Sequence, residues 1–504
     1  MERPLVCLCL TGRTLAEDVE LVERYSHFID VAELRVDFLD EAERLDIREF
    51  PAMINVPCIL TIRRVSDGGQ YREGEASRTM LFARALAFAE TNSKKNFAYV
   101  DFEEDFHVPS LQDAALAFGT KIIRSFHDMH NPVRNLVEKL NAMRTTGFEI
   151  PKVACMPHSL ADVTQLFAEA SALAESQQIV CAMGNLGFPT RILAHTLHSY
   201  LTYTTAAELL DKMVSLSGQA IGHIDPKTLH DVYHFRQLNE KTTVFGITGW
   251  PLKVTSSPKI HNKKFETNGM NAVFSPFPSE TAADAFAFAK SIGVKGFSVT
   301  VPHKEHIIPL LDEVDDNVKK IGACNTVVHD HGIWKGYNTD APGFSKALLA
   351  FTGLADLSGK KVAIIGAGGA SRAVAFAVKK LGAQACVFNR TISRARAIAE
   401  QFGFAYATLG AESLEKLHDY SDIIVQTTSK GMGAESAPNQ DNDPLYFYDF
   451  DGTELLYDII YVPDVTPVMA RAQAAGCRVS NGLTMLQYQG DAQFLLYKEI
   501  YENA

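Results

Sequence analysis

No apolar run in this chain of 504 residues is long enough to cross a bilayer, and its start, Met1-Glu-Arg-Pro-Leu-Val-Cys7-Leu-Cys9, has no signal-peptide cleavage pattern. The expectation is a cytoplasmic protein with no membrane partner. A surplus of positive charge is missing too. Lys and Arg number 48 against 60 Asp and Glu, a net charge of −12, which argues against nucleic acid as the main partner and leaves small anions to local basic pockets. Paired cysteines are the third absence. Cys7, Cys9, Cys58, Cys155, Cys181, Cys324, Cys386 and Cys477 are scattered, mostly in apolar runs, without the spacing of a zinc site or a disulfide framework. They read as reduced core residues, and no metal is expected.

What is present is ordinary for a globular chain. Hydrophobic residues at 46% and charged residues at 21% exclude disordered and fibrous classes, and the length suggests about three domains. From Pro4 onward, short apolar runs alternate with longer helical patterns: Leu5 to Leu10, Ile29 to Phe38, Cys58 to Arg63, Tyr99 to Phe102, Lys121 to His127, Lys152 to Met156, Ile179 to Met183, and a weaker one near Tyr200 to Thr204. Eight strands with helices between them predict an α/β fold, a (β/α)8 barrel over residues 1–238, in a form that typically takes ~250 residues.

In that barrel, catalytic groups gather at the C-terminal ends of the strands. Glu33, Arg35 and Asp37 lie late in the second run, Arg63 ends the third, Asp101 and Glu103 lie late in the fourth, and His127 ends the fifth. Lys152 departs from the rule by opening its run. A lysine desolvated beside other cations can attack a ketone as the neutral amine and form a Schiff base, and Lys152 is the candidate. His127 is then a general acid/base that titrates near neutrality.

Glu33-Leu-Arg35-Val-Asp37, Thr61-Ile-Arg63, Ser125-Phe-His127-Asp128, Ile150-Pro-Lys152-Val and Ser215-Leu-Ser-Gly-Gln219 resemble the successive motifs of type I 3-dehydroquinate dehydratase over nearly all of the first 238 residues. The resemblance implies that Lys152 forms the Schiff base and that His127 removes the α-proton and returns one to expel water. It makes Arg191 the carboxylate-binding arginine and Glu33, Arg35, Arg63, Ser215 and Gln219 the rest of the polar pocket. Asp67 stands where that family usually has Glu beside the catalytic His. The loop Gly69-Gln70-Tyr71-Arg72 resembles the two-domain plant enzymes more than the single-domain bacterial ones.

Asp225-Pro226 through Leu238 reads as a last helix, with Asp225 as N-cap and Pro226 at its first position. After the polar join Asn239-Glu-Lys-Thr, a new strand begins at Thr243. Further on, Lys361-Val-Ala-Ile-Ile-Gly366-Ala-Gly368-Gly369-Ala370-Ser371 is a strand, a tight glycine turn and a helix start, suited to a pyrophosphate. The next strand ends at Asn389-Arg390-Thr391 with Arg394 beyond, where NAD-binding folds carry an acid for the ribose. Its absence beside these cations points to the 2′-phosphate of NADP(H).

With Thr255, Ser257, Thr300, Lys304, Asn325, Asp340, Tyr461 and Gln489 in their local motifs, residues 243–504 resemble shikimate dehydrogenase. On that resemblance Lys304 and Asp340 handle the proton at the carbonyl, the other six lie about the substrate's hydroxyls and carboxylate, and Thr427 and Met432 belong to the loop beside the nicotinamide. The implied fold is a substrate lobe, 243–343 plus 477–504, and a doubly wound Rossmann-like lobe, 344–476. The two resemblances are consecutive: 3-dehydroquinate is dehydrated to 3-dehydroshikimate, which NADPH reduces to shikimate, in a monomer or homodimer. A quinate-preferring second half, or a catalytically silent ligand-sensing regulator with the same folds, is the alternative.

Overall fold

The computed structural model describes residues 3–87, 90, 92–173, 177–210, 224–252, 255–434 and 436–503. They form two compact units, Met1–Val294 and Lys295–Ala504.

The first unit is built on eight parallel strands: β1 (Leu5–Leu10), β2 (Val31–Arg35), β3 (Cys58–Thr61), β4 (Tyr99–Glu103), β5 (Lys121–Asp128), β6 (Glu149–Cys155), β7 (Ile179–Ala182) and β8 (Leu201–Thr205). Each of β1–β6 pairs with the next, β8 pairs with β1, and an isolated bridge between Gln178 and Ser199 brings β7 to β8, so the barrel is nearly closed. Alternate strand residues point inward, and Cys9, Val31, Ile59, Ile123, Ile179 and Leu201 are among those that fill the interior as a packed core rather than a pore. Several expected boundaries move: β2 ends at Arg35 and β3 at Thr61, so Asp37 and Arg63 lie just beyond their strands. β6 begins at Glu149 rather than at Lys152, because Pro151 and Glu149, poor strand formers by propensity, are nonetheless paired to β5. Lys152 is therefore central in its strand, aimed into the barrel.

Outside the strands, Ser159 and Asp162 form a reciprocal cap on the helix Leu160–Ala170. Asp225 caps the helix at Pro226 as expected, but the helix stops at Asp231 and a 3₁₀ turn covers Phe235–Gln237. His234, with φ +48°, breaks the run. The strands Thr243–Thr248 and Ala272–Pro276 pair in parallel, and the helix Ala282–Ser291 brings Phe288 edge-on to Phe167 of the barrel helix, ring centroids 5.6 Å apart. That packing places residues 243–294 in the same compact unit as the barrel.

In the second unit, Gly296–Val299, Thr326–Asp330 and Ile333–Tyr337 are antiparallel neighbours. A six-stranded parallel sheet follows in the order Ala405–Thr408, Gln384–Asn389, Lys361–Ile365, Ile423–Gln426, Leu455–Asp458, Arg478–Ser480, the doubly wound arrangement with its crevice beside Lys361–Ile365. The last helix, Leu483–Glu502, crosses Asp340–Thr352 closely, since a Cβ on Gly343 would lie 2.8 Å from the Gln489 backbone nitrogen. It then runs back to the antiparallel strands, where Gln493 Nε2 donates to Thr326 Oγ1 at 2.9 Å.

Candidate active sites

Seven of the expected barrel residues, Glu33, Arg35, Arg63, Asp67, His127, Lys152 and Arg191, line one pocket, with Met129 and Tyr203. Lys152 is 5% exposed and donates to Asp101 Oδ2 at 2.9 Å. The same oxygen lies 2.9 Å from Arg63 Nη2, and Asp101 Oδ1 accepts from Ser125 Oγ at 2.5 Å. Tyr203 lies under the amine, 4.3 Å from ring centroid to Nζ. Glu33 accepts from Thr61 Oγ1 at 2.9 Å and stands 3.9 Å from Lys152, while Arg63 also reaches Glu103 at 2.8 Å. Arg35 is paired with Asp37 at 2.8 Å. Arg191 is buried in the short helix Phe188–Ile192, and among the described residues its Nε has no hydrogen-bond partner and it forms no ion pair.

The electrostatics follow from burial and crowding. Burial alone would raise the Asp101 carboxyl, but Arg63 and Lys152 overcome it and hold the group well below the usual carboxylate range. His127 does not titrate near neutrality as expected. Burial, then the Arg63 and Lys152 charges, push its imidazole well below the ordinary 6.5, with Asp101 opposing less strongly. The ring is neutral at pH 7, the form a general base requires.

Asp67, expected beside His127, instead accepts from Arg64 Nε at 2.9 Å and Ser66 Oγ at 2.7 Å, while His127 Nδ1 is buried without a partner. Arg64 also binds Asp105 with both terminal nitrogens, so the shorter Asp side chain is drawn to the cation rather than to the imidazole. Ser215 and Gln219 lie outside the described residues. No local sequence signal assigns a role to Asp101, Ser125 or Tyr203, although Asp101 stands late in a strand and Ser125 opens the motif that carries His127.

In the second unit Lys304 Nζ stands 2.5 Å from Asp340 Oδ2. Asn325 Nδ2 donates to Asp340 Oδ1 at 2.8 Å and to Thr339 Oγ1 at 2.9 Å, and Gln489 Oε1 lies 3.4 Å from the same amide. Thr300 opens the turn that leads to Lys304, its carbonyl accepting from His303 N. Tyr461 is half-buried after the strand Leu455–Asp458. Thr255 and Ser257, in the first unit, have their hydroxyls 3.2 Å apart.

The glycine loop fits a dinucleotide on its own geometry. Gly366 has φ +113°, and a Cβ there would come within 2.6 Å of Thr427 Oγ1, whereas one on Gly368 would meet open space. The loop runs into the helix Gly369–Lys380, and Gly368 N donates to Ser371 Oγ at 3.0 Å. Thr427, expected beside a nicotinamide, fastens this loop: its hydroxyl donates to the Ile365 carbonyl at 2.7 Å and meets Ser371 Oγ at 2.6 Å. Met432 is exposed. Asn389 Nδ2 donates to the Thr391 carbonyl at 2.9 Å, and Arg390, Thr391 and Arg394 are exposed at the strand end.

Three family descriptions match the chain: type I 3-dehydroquinase over residues 6–240, the shikimate dehydrogenase substrate binding domain over 247–327, and shikimate / quinate 5-dehydrogenase over 348–439. The bifunctional, chloroplastic 3-dehydroquinate dehydratase/shikimate dehydrogenase of Arabidopsis thaliana is 30% identical over 497 residues, 94% of this chain and 79% of that one. A shikimate dehydrogenase (NADP(+)) of Caldanaerobacter subterraneus is 39% identical over 269 residues, 52% of this chain and 93% of its own. A solved structure of the Thermus thermophilus shikimate 5-dehydrogenase in complex with NADP(H) and shikimate is 31% identical, with a TM-score of 0.45, covering 52% of this chain and 98% of that one.

Proposed function

The chain belongs to the family of bifunctional 3-dehydroquinate dehydratase/shikimate dehydrogenases, and from that premise we propose which residues carry each reaction. The protein dehydrates 3-dehydroquinate to 3-dehydroshikimate and reduces that ketone with NADPH to shikimate. We assign the first step to residues 1–238, the substrate lobe of the second to 243–343 with 477–504, and the cofactor lobe to 344–476.

In the first step Lys152, once its amine has given up a proton, attacks the ketone carbon, and loss of water leaves an iminium. The iminium is the electron sink that makes the α-proton acidic enough for neutral His127 to remove. His127 then carries the proton to the departing hydroxyl, and water releases the product from Lys152. Asp101 holds the amine in place while Arg191 takes the substrate carboxylate; Glu33, Arg35, Arg63, Ser215 and Gln219 are assigned to the remaining polar groups. The observation that carries this reading is the convergence of Lys152, His127 and Arg191 on one pocket.

In the second step bound NADPH supplies the hydride. Gly366, Gly368, Gly369, Ala370 and Ser371 would hold its pyrophosphate, and Asn389, Arg390, Thr391 and Arg394 its ribose phosphate. Lys304 delivers the proton to the carbonyl oxygen, its amine held by Asp340, and Thr255, Ser257, Thr300, Asn325, Tyr461 and Gln489 are assigned to the substrate, Asn325 also donating to Asp340. No described helix is long and apolar enough to cross a membrane. The eight cysteines are all buried and free, which suits a reducing compartment such as the cytoplasm.

A coupled assay separates the roles. NADPH consumption from 3-dehydroquinate should stop in both Lys152→Ala and Lys304→Ala, whereas supplying 3-dehydroshikimate should restore it in the first variant only. Wild-type consumption from 3-dehydroquinate in Lys152→Ala would remove that lysine from the first step.

A further inference from the structure

Arg372 lies one residue past the glycine loop's serine, in the first turns of the helix Gly369–Lys380, and nothing above gives it a task. It lines a cleft with Pro302, Glu305, Gly368, Ser393 and Arg394. One wall of that cleft is the segment that carries Lys304, a second is the glycine loop, and the third is the helix that begins after the ribose-reading strand end. Arg372 is held on two sides. Its Nη1 donates to Gln401 Oε1 at 2.9 Å, and Gln401 Nε2 donates in turn to the Lys320 carbonyl at 2.6 Å. Its Nε stands 3.5 Å from Glu305 Oε1, too long for a strong hydrogen bond. Glu305 is half exposed and Arg372 only a quarter, so the guanidinium is fixed and its carboxylate partner is the loose member.

We propose that Arg372 is a ligand of the cofactor's 2′-phosphate, working across the cleft from Arg394, and that Glu305 is its resting partner, displaced when that phosphate arrives. The inference rests on the NADP site proposed above. A phosphate dianion offers Arg372 more charge and better-placed oxygens than a carboxylate at 3.5 Å does. The same carboxylate repels the phosphate until it swings into solvent. NAD brings nothing to displace it, so the pair acts on the choice between the two cofactors rather than on dinucleotide binding in general. Gln401 keeps Arg372 directed at the cleft when Glu305 leaves.

The test is calorimetric titration of NADP+ and of NAD+ into the full chain, with 3-dehydroquinate dehydration by each sample as the folding control. Arg372→Gln should weaken NADP+ by about tenfold or more, the worth of a charged hydrogen bond, and change NAD+ by less than about twofold. Glu305→Gln should tighten NADP+ several-fold, leave NAD+ alone, and have no effect when combined with Arg372→Gln. An unchanged NADP+ affinity in Glu305→Gln, or equal changes for the two cofactors in Arg372→Gln, would overturn the proposal. Wild-type protein that binds neither cofactor would overturn the underlying site instead.

Discussion

Replacing Gly366 with alanine should abolish tight cofactor binding while leaving the barrel reaction intact. The residue sits at φ +113°, where an added Cβ would meet Thr427 Oγ1 at 2.6 Å and Thr428 Cγ2 at 3.0 Å. Holding an L-residue in that backbone region costs about 1–3 kcal/mol, and forcing atoms into a filled space costs about 1–3 kcal/mol more. Thr427 cannot simply rotate away, because its hydroxyl binds both the Ile365 carbonyl and Ser371 Oγ. The loop itself must therefore move, at a total of roughly 2–6 kcal/mol. Even the lower figure corresponds to about thirtyfold in affinity. Fluorescence titration with NADPH measures the loss, and the dehydration rate of the same sample reports whether the barrel survives. An NADPH affinity within threefold of wild type would refute the steric reasoning. Loss of both activities together would refute the separation of the two sites.

Two further predictions rest on titration. His127 is pushed well below 6.5 by burial and by Arg63 and Lys152, so the acid limb of kcat/KM for dehydration should lie below the usual histidine range; a limb at 6.5 or above contradicts the assignment. Asp458 is pushed by burial up to about 7 despite accepting from Ile460 N, Thr466 Oγ1 and Gln426 Nε2. The folded state then binds more protons than the unfolded one between about pH 4 and 7. Its contribution is full below that window and declines as pH rises through it, by at most about 4 kcal/mol. Asp458→Asn should therefore gain on wild type in thermal melts as pH goes from 5 to 8, and a pH-independent gap would show that the carboxyl is not neutral at low pH.

The barrel was legible because each strand is short, apolar and separated by helical sequence, and the polar ends of β2 to β5 marked its catalytic mouth. Lys152 was legible as chemistry but misplaced in its strand, since Pro151 and Glu149 hide strand pairing that the barrel imposes. Pairings across strands left no local trace. Asp101 meets Lys152 and Ser125 only through register, and no periodicity joins residues that far apart. Asp67 holds the motif position expected beside His127, yet Arg64, three residues earlier, competes for it. Thr427 was read as a cofactor contact from its loop, whereas its hydroxyl is spent on holding the glycine turn. Arg372 directly follows the glycine motif, but its partners Glu305 and Gln401 lie far from it in sequence.

The most direct measurement of the residue assignments is borohydride trapping of the full chain with 3-dehydroquinate, followed by peptide mass spectrometry. The account predicts one reduced adduct, on Lys152, that disappears in Lys152→Ala and persists in Lys304→Ala. An adduct on another lysine, or none while dehydration proceeds at the wild-type rate, would contradict it.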